Sequence, residues 1–431
     1  MRRLYLILGL GFLPAFISAQ AGHLMQGIGA FNMSMGGAAT GQALDINGAL
    51  HWNPASISSF DKKIFSLNAG LFYSSPEIAS TVPASDGSGL MSGVTKDERG
   101  VSVMPALAMV WGKKDSRHTF GVSVFGISGF GVTFPENMSN PINMPQSYGG
   151  FGRIESDYQL LQAGVTYAYK ISEKFSIGLA PTFNYATLKL EPNPLASPDP
   201  SKGYPVSDKA SATGFGGQFG IFYNSGTGLK LGASYKTPQY FNDFEFKNKY
   251  LDGSAAPGVK FNMNFPAIYS LGVGYSLKEF DLAVDYRYVD YEHAAGFKEK
   301  GWTNTASVAG FGWQNISIVS AGLQYRGIRN IPVRIGYTYS SNPITSELAM
   351  FSAPATAIIE NAFQLGLGYE FSKTLTLNAV YHHGASNGST SGPMLSPLMI
   401  TPSNPYGAIP QSKVSYNMTT DLVMFGINYT F

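Results

Sequence analysis

Val423, Phe425, Ile427, Tyr429 and Phe431 occupy every second position of the last segment, with Leu422, Met424, Gly426, Asn428 and Thr430 between them. A strand points successive side chains to opposite faces, so such a segment has one apolar face and one small or polar face. The pattern recurs. Phe363, Leu365, Leu367, Tyr369 and Phe371 alternate with Gln364, Gly366, Gly368 and Glu370. Val333, Ile335, Tyr337 and Tyr339 alternate with Arg334, Gly336, Thr338 and Ser340. Leu282, Val284, Tyr286 and Tyr288 alternate with Ala283, Asp285 and Arg287. Residues 65–73, 103–111, 161–169, 175–185, 215–223, 229–235 and 269–275 repeat it, and many end in Tyr or Trp on the apolar face. Amphipathic rings at strand ends are what a membrane-interface girdle requires. A soluble sandwich also alternates, but with shorter strands and no reason for so many terminal tyrosines.

Composition narrows the choice. Only 13% of the 431 residues are charged, 13% are aromatic, and Gly supplies 50 positions; soluble domains carry roughly 25% charged residues and about 7% Gly. High aromatic content with a net charge of +2 excludes disorder and argues against a nucleic-acid binder. Zero Cys excludes a disulfide scaffold, a thiolate metal site and a cysteine nucleophile. Met1-Arg2-Arg3, an apolar run from Leu4 to Ile17 and the small residues Ser18 to Ala21 read as a secretory signal, cut after Ala19 or Ala21. Removing Arg2 and Arg3 takes 29 Lys and Arg to 27, equal to the 27 Asp and Glu. Beyond that leader no apolar run reaches the length of a membrane helix, and mean hydropathy is −0.01. A secreted chain destined for a membrane without such helices has one solution, a closed barrel that pairs every backbone group.

Connection lengths set the topology. Short turns at 112–117, 171–173, 224–228, 277–279, 327–330 and 372–374 alternate with long stretches at 74–100, 134–156, 191–210, 238–258, 290–312, 341–361 and 384–418. Thirteen connections join 14 strands, all-β and antiparallel, with both termini on the short-turn side. Outer-membrane barrels keep short turns in the periplasm, so both ends are expected there. The division reads as a leader over 1–19, a plug over 20–60 and a barrel over 61–431. The second segment does not alternate, is rich in Met and small residues, and suits a lumen too wide for strand side chains to fill.

The run Gly29-Ala30-Phe31, Met35-Gly36-Gly37-Ala38, Gly41 and Asn53-Pro54-Ala55 resembles the N-terminal hatch of the FadL family of outer-membrane transporters for long-chain fatty acids and aromatic hydrocarbons. Asn53, Pro54 and Ala55 at the hatch junction are its most specific element. Phe265-Pro266-Ala267, Tyr337-Ser340-Pro343, Leu365 to Tyr369 and the aromatic terminal strand are also similar to that family. The resemblance implies capture of a hydrophobic ligand between outside loops, binding in the lumen under the hatch, and sideways release where the third strand kinks inward. Gly126, Gly129 and Gly131 lie in that strand, where glycine marks a bend or bulge; loose packing in a glycine-rich chain is the bland account.

Candidate ligand contacts follow. Phe31, Met33 and Met35 would back an apolar lumenal pocket. Leu190, Phe241 and Phe244, with Leu188, Leu195, Tyr204, Tyr240 and Phe246, are expected to present an apolar surface in the third and fourth long loops. Lys236, Arg287 and Arg334 point inward by alternation and are candidates for a carboxylate head group, although Asp285 stands two residues from Arg287. Phe425, Ile427, Tyr429 and Phe431 resemble the terminal signal read by the barrel-assembly machinery. The six His lack metal-ligand spacing; His382 and His383 are adjacent and face opposite ways. Gly384-Ala385-Ser386-Asn387-Gly388 fits a nucleophile pattern but opens a loop instead of a strand-to-helix turn. No catalytic residue, cofactor or metal is expected. The expected partners are a hydrophobic small molecule, outer-membrane lipid and the barrel-assembly machinery, with no nucleic acid, and the barrel is expected to be monomeric. The rival reading is an accessory barrel of a protein secretion or cell-envelope complex, with a filled polar lumen.

Overall fold

A computed structural model of the chain describes residues 22–84 and 87–431; the expected leader at 1–19 lies outside the described residues. Fourteen long strands form the wall: β1 Lys63–Ser74, β2 Ser102–Trp111, β3 His118–Phe134, β4 Ile154–Lys170, β5 Phe175–Glu191, β6 Ala210–Asn224, β7 Leu229–Lys236, β8 Ala267–Leu277, β9 Phe280–Asp290, β10 Ile316–Tyr325, β11 Val333–Ser340, β12 Ile359–Glu370, β13 Leu375–Ser386 and β14 Thr419–Thr430. Each pairs antiparallel with its sequence neighbours, and β14 pairs β1 from Thr420↔Ser74 to Thr430↔Ile64, closing the ring. Closure leaves no free sheet edge in lipid. The alternation is realised as Phe425, Leu365, Leu271 and Phe219 facing outward and exposed, while their neighbours Met424, Gln364, Ser270 and Gln218 are buried inside. No described helix is long and apolar enough to cross a membrane.

Residues 22–60 enter the lumen as a plug. Two short helices, α1 Gly29–Ser34 and α2 Ile46–Trp52, precede a 3₁₀ turn at Pro54–Ser59. Asp45 caps α2 by accepting from the Asn47 and Gly48 amides. Asn53 caps the next turn through Ala55 N–H and donates Nδ2 to Thr40 O (2.8 Å) and to Ile221 O on β6 (3.0 Å). The Asn-Pro-Ala junction therefore ties plug to plug and plug to wall. Its seat is made by absent side chains: a Cβ at Gly178 would lie 2.4 Å from Ala55 N, and one at Gly232 would lie 1.8 Å from Thr40 O.

The long connections are not irregular throughout. Residues 77–83, 90–96, 390–392 and 413–417 make a four-stranded sheet, and 244–249, 255–261 and 206–207 make a three-stranded one. Segments this short and interrupted are below the length at which alternation reads as a barrel strand.

Candidate functional site

Pairing between β2 and β3 stops short. It runs from Trp111↔Phe120 to Ala106↔Phe125, although β1 pairs β2 as far as Ser102 and β4 pairs β3 as far as Phe134. At the stop stands Pro105, which has no N–H to offer a neighbouring strand. Opposite it β3 carries a bulge between Gly126 and Ser128. Contact across the gap resumes at Thr133, whose carbonyl accepts from Glu98 N (2.8 Å) and whose N–H donates to Asp97 Oδ1 (2.5 Å). The wall therefore has a window, bounded by Ala106–Phe125 on one side and the 97–99 segment on the other.

A cavity of about 760 Å³ fills this window, within the size range of sites for small ligands. Its lining includes Met104, Gly126, Gly129 and Gly131 at the rim, buried Phe72, Phe130 and Met418 toward the lumen, and exposed Val103, Leu161 and Tyr185 toward the outer face. The three glycines of the third strand are brought together here. A Cβ at Gly126 would meet Pro105 at 3.4 Å, an ordinary contact, whereas one at Gly129 would press on Tyr158 O at 3.0 Å.

Behind Phe130 and Tyr158, which stack at 4.9 Å, lies an aromatic cage occupied by His23. The imidazole stacks on Phe297 at 4.8 Å and is ringed by Tyr291, Phe265, Trp313, Tyr158 and Phe130 at 5.5–6.4 Å. Its Nδ1 shares a hydrogen bond with Tyr291 OH (2.7 Å), and Nε2 has no protein partner. Burial lowers the imidazole pKa to about 3. The plug backbone is stitched to the bulge: Met25 N–H donates to Ile127 O (3.0 Å), and His23 O accepts from Gly129 N–H (3.2 Å) and Ser128 Oγ (2.8 Å).

The other expected contacts lie elsewhere. Arg287 and Asp285 form a buried ion pair (2.6 Å) that clamps the plug: Asp285 Oδ2 accepts from Ala39 and Thr40 N–H (2.9 Å each), and Arg287 donates to Gly37 O (2.7 Å) and lies 3.6 Å above the Trp52 ring. Arg334 donates to Gln324 (2.7 Å) and Asn378 (3.0 Å) and covers the Phe31 ring at 3.6 Å. Lys236 points inward and makes long contacts to Gln162 (3.3 Å) and His51 (3.4 Å). Phe31 lines a small polar recess at the short-turn end, while Met33 and Met35 are packed inside the plug; none of the three lines the wall cavity. Leu190, Phe241, Phe244 and Phe246 were expected on a loop surface and are instead buried, 0–6% exposed, as the packing core of the loop layer. An apolar cleft between loops is built from other residues, among them Ile142, Phe151, Trp302, Val308 and Phe351. His382 faces inward and meets Gln364, whereas His383 pairs with Asp421.

Sequence reasoning missed Arg99, Pro105 and the cage of His23, Phe265, Tyr291, Phe297 and Trp313. Pro105 inside an alternating strand was a readable edge signal. The cage draws on five separate segments, and nothing local marks their convergence.

The family model described as "Outer membrane protein transport protein (OMPP1/FadL/TodX)" matches residues 15–431. No curated protein matches the chain. Among solved structures, the P. putida toluene transporter TodX superposes with a TM-score of 0.67 at 18% identity, covering 94% of this chain and 99% of that one. A Pseudomonas aeruginosa FadL homologue gives 0.71 at 16% identity, covering 95% and 100%. The Ralstonia pickettii toluene transporter TbuX gives 0.62 at 16% identity, covering 94% and 99%. At these identities the superpositions speak for the fold: a 14-stranded barrel with an N-terminal plug.

Proposed function

Because the chain belongs to the OMPP1/FadL/TodX family of outer-membrane transport proteins, we propose that it moves hydrophobic small molecules across the outer membrane and releases them sideways through the window between β2 and β3. The observation that carries this reading is the 760 Å³ cavity that joins buried Phe72, Phe130 and Met418 to lipid-facing Leu161 and Tyr185 through an unpaired stretch of wall. A polar solute has no use for a passage into lipid; an apolar one gains about 25 cal/mol for each Å² kept from water.

The long loops face outward and both termini face the periplasm in this reading, as short turns do in bacterial barrels. Cargo enters between the loops at the cleft near Trp302 and Phe351. It reaches the aromatic cage when residues 22–25 let go of the β3 bulge, which costs three hydrogen bonds and the ring contacts of His23. From the cage it passes Phe130 and Tyr158 into the window. Long-chain fatty acids and aromatic hydrocarbons both fit an apolar route of this kind; the cage favours cargo with a flat ring, since aromatic pairs gain about 0.5–1.5 kcal/mol beyond area burial. Of the three inward cations, Lys236 is the one left for a carboxylate, because Arg287 is held by Asp285 and Arg334 is covered by Phe31.

The plug level itself is polar and filled, which is what an accessory barrel would show. The window opens on the long-loop side of that level, so transport does not require passage through the plug. Mass spectrometry of apolar molecules copurifying with the barrel, together with uptake of labelled hydrocarbons by cells that express it, tests the reading. A bound apolar molecule and a gain in uptake are expected. An empty barrel with no gain in uptake would favour the accessory role.

A further inference from the structure

Arg99 stands three residues before Ser102, the first residue of β2, and its side chain crosses β3 at Gly131. Nη1 donates to Ser156 O on β4 (2.8 Å), and Nη2 forms an ion pair with Asp157 Oδ1 (2.8 Å). Between the two lies Gly131. A Cβ there would sit 1.8 Å from Nη1, so the crossing exists only because residue 131 has no side chain. The base of Arg99 is also held: its N–H donates to Asp97 Oδ2 (3.1 Å), and the other oxygen of Asp97 accepts from Thr133 N–H. Asp157 takes a second cation, Lys209, at 2.5 Å. A planar guanidinium tied at two nitrogens is a stiff element compared with a lysine ammonium. It closes the long-loop end of the window and borders the same cavity as Gly129 and Met104.

We infer that Arg99 is a specificity-determining residue for transport: pinned to Asp157 across Gly131, it acts as a lintel that sets the largest width of apolar cargo the window admits. The inference rests on the window being the exit. It concerns cargo width alone, so it applies equally to a chain and to a ring, and it excludes fused polycyclic molecules in favour of slender ones.

The test measures uptake of n-decane and of phenanthrene, two uncharged hydrocarbons of different width, by cells expressing the full chain. Arg99→Ala is expected to raise the phenanthrene-to-decane ratio about tenfold, the size of discrimination that a few atoms of pocket wall supply. Gly131→Ala, which drives the guanidinium off its seat, should raise the ratio in the same direction, and combining it with Arg99→Ala should add nothing further. A purely structural role would lower uptake of both hydrocarbons together and leave the ratio where it was. Should Arg99→Ala fail to reach the membrane as a heat-modifiable barrel, Asp157→Asn replaces it, and an unmoved ratio there overturns the lintel. Gly126→Val/Gly129→Val separates the two claims. Continued decane uptake in that variant defeats the window itself; loss of decane uptake in it, with an unmoved ratio in Arg99→Ala, defeats the lintel and leaves the window standing.

Discussion

Asp285 binds three groups that belong to two parts of the chain: the amides of Ala39 and Thr40 in the plug, and the guanidinium of Arg287 on β9, which in turn holds Gly37 O and covers Trp52. Removing one partner of a buried ion pair leaves an uncompensated charge and costs about 3–5 kcal/mol. Asp285→Ala should therefore undock the plug while the barrel persists, seen as chymotrypsin cleavage at Phe31 or Trp52 of the plug at temperatures where the wild type resists; equal resistance would refute the clamp. His23 makes a second prediction. Its cage presents Tyr158 and Tyr291 as titratable groups and no charge. A folded pKa near 3 against 6.5 when released means that docking is fully favoured above pH 6.5 and weakens as pH falls toward 3, by about 1.4 kcal/mol per unit. His51, lowered by burial and then by Lys236 and Arg287, acts in the same direction. Amide exchange at Met25 and Gly129, corrected for the intrinsic rate, should rise on acidification between pH 6 and 4; a flat profile would exclude His23 as the cause. That Lys236, Arg287 and Arg334 face inward was legible from alternation. What each one touches was not, because period two reports a face and says nothing about the chain that lies across the lumen.

At the scale of elements, the strands and their alternating connections were readable because each wall strand faces two media along most of its length. The three glycines of β3 were also readable as a bend. A sideways opening at the third strand was implied only by the family resemblance, and the edges of the window were not readable, since the far edge is supplied by residues 97–99 returning from a loop and the near edge by where β2 stops pairing. Glycine in the wall has a second cause that composition alone hides: at Gly232 the plug backbone takes the place a side chain would fill. The loop aromatics Phe241, Phe244 and Phe246 were misjudged because a loop with its own small sheet has a core, and an aromatic cluster in sequence does not tell a surface from a core. β14 carries the assembly prediction. Phe425, Ile427 and Tyr429 form its outward row, and Phe431, one residue past its end, is 66% exposed and set edge-on to Tyr429 at 4.9 Å. Phe431 adds little packing to the closed barrel, so its deletion should lower the amount reaching the outer membrane and leave the melting temperature of the assembled fraction unchanged. Normal amounts would remove it as a signal.

For the whole molecule, low charge and middling hydropathy are two faces averaged: exposed rows such as Leu365, Leu367 and Phe425 against buried rows such as Gln364, Asn378 and Gly426. The plug fills the lumen with contacts such as Asp285 to Ala39 and Thr40, and the 760 Å³ cavity opens through the wall on the long-loop side of it. In the proposed function, transport turns on the window and not on the lumen axis. Uptake of labelled n-decane by cells expressing Gly126→Val/Gly129→Val tests this most directly, because both residues line the cavity; a Cβ at Gly126 meets Pro105 at 3.4 Å, and one at Gly129 needs Tyr158 O, 3.0 Å away, to give by a few tenths of an ångström. The account predicts barrels that assemble at wild-type levels and an uptake rate reduced about tenfold or more, as expected when the pore lining gains several methyl groups. Uptake at the wild-type rate through a fully assembled double variant would contradict it and place the route along the lumen.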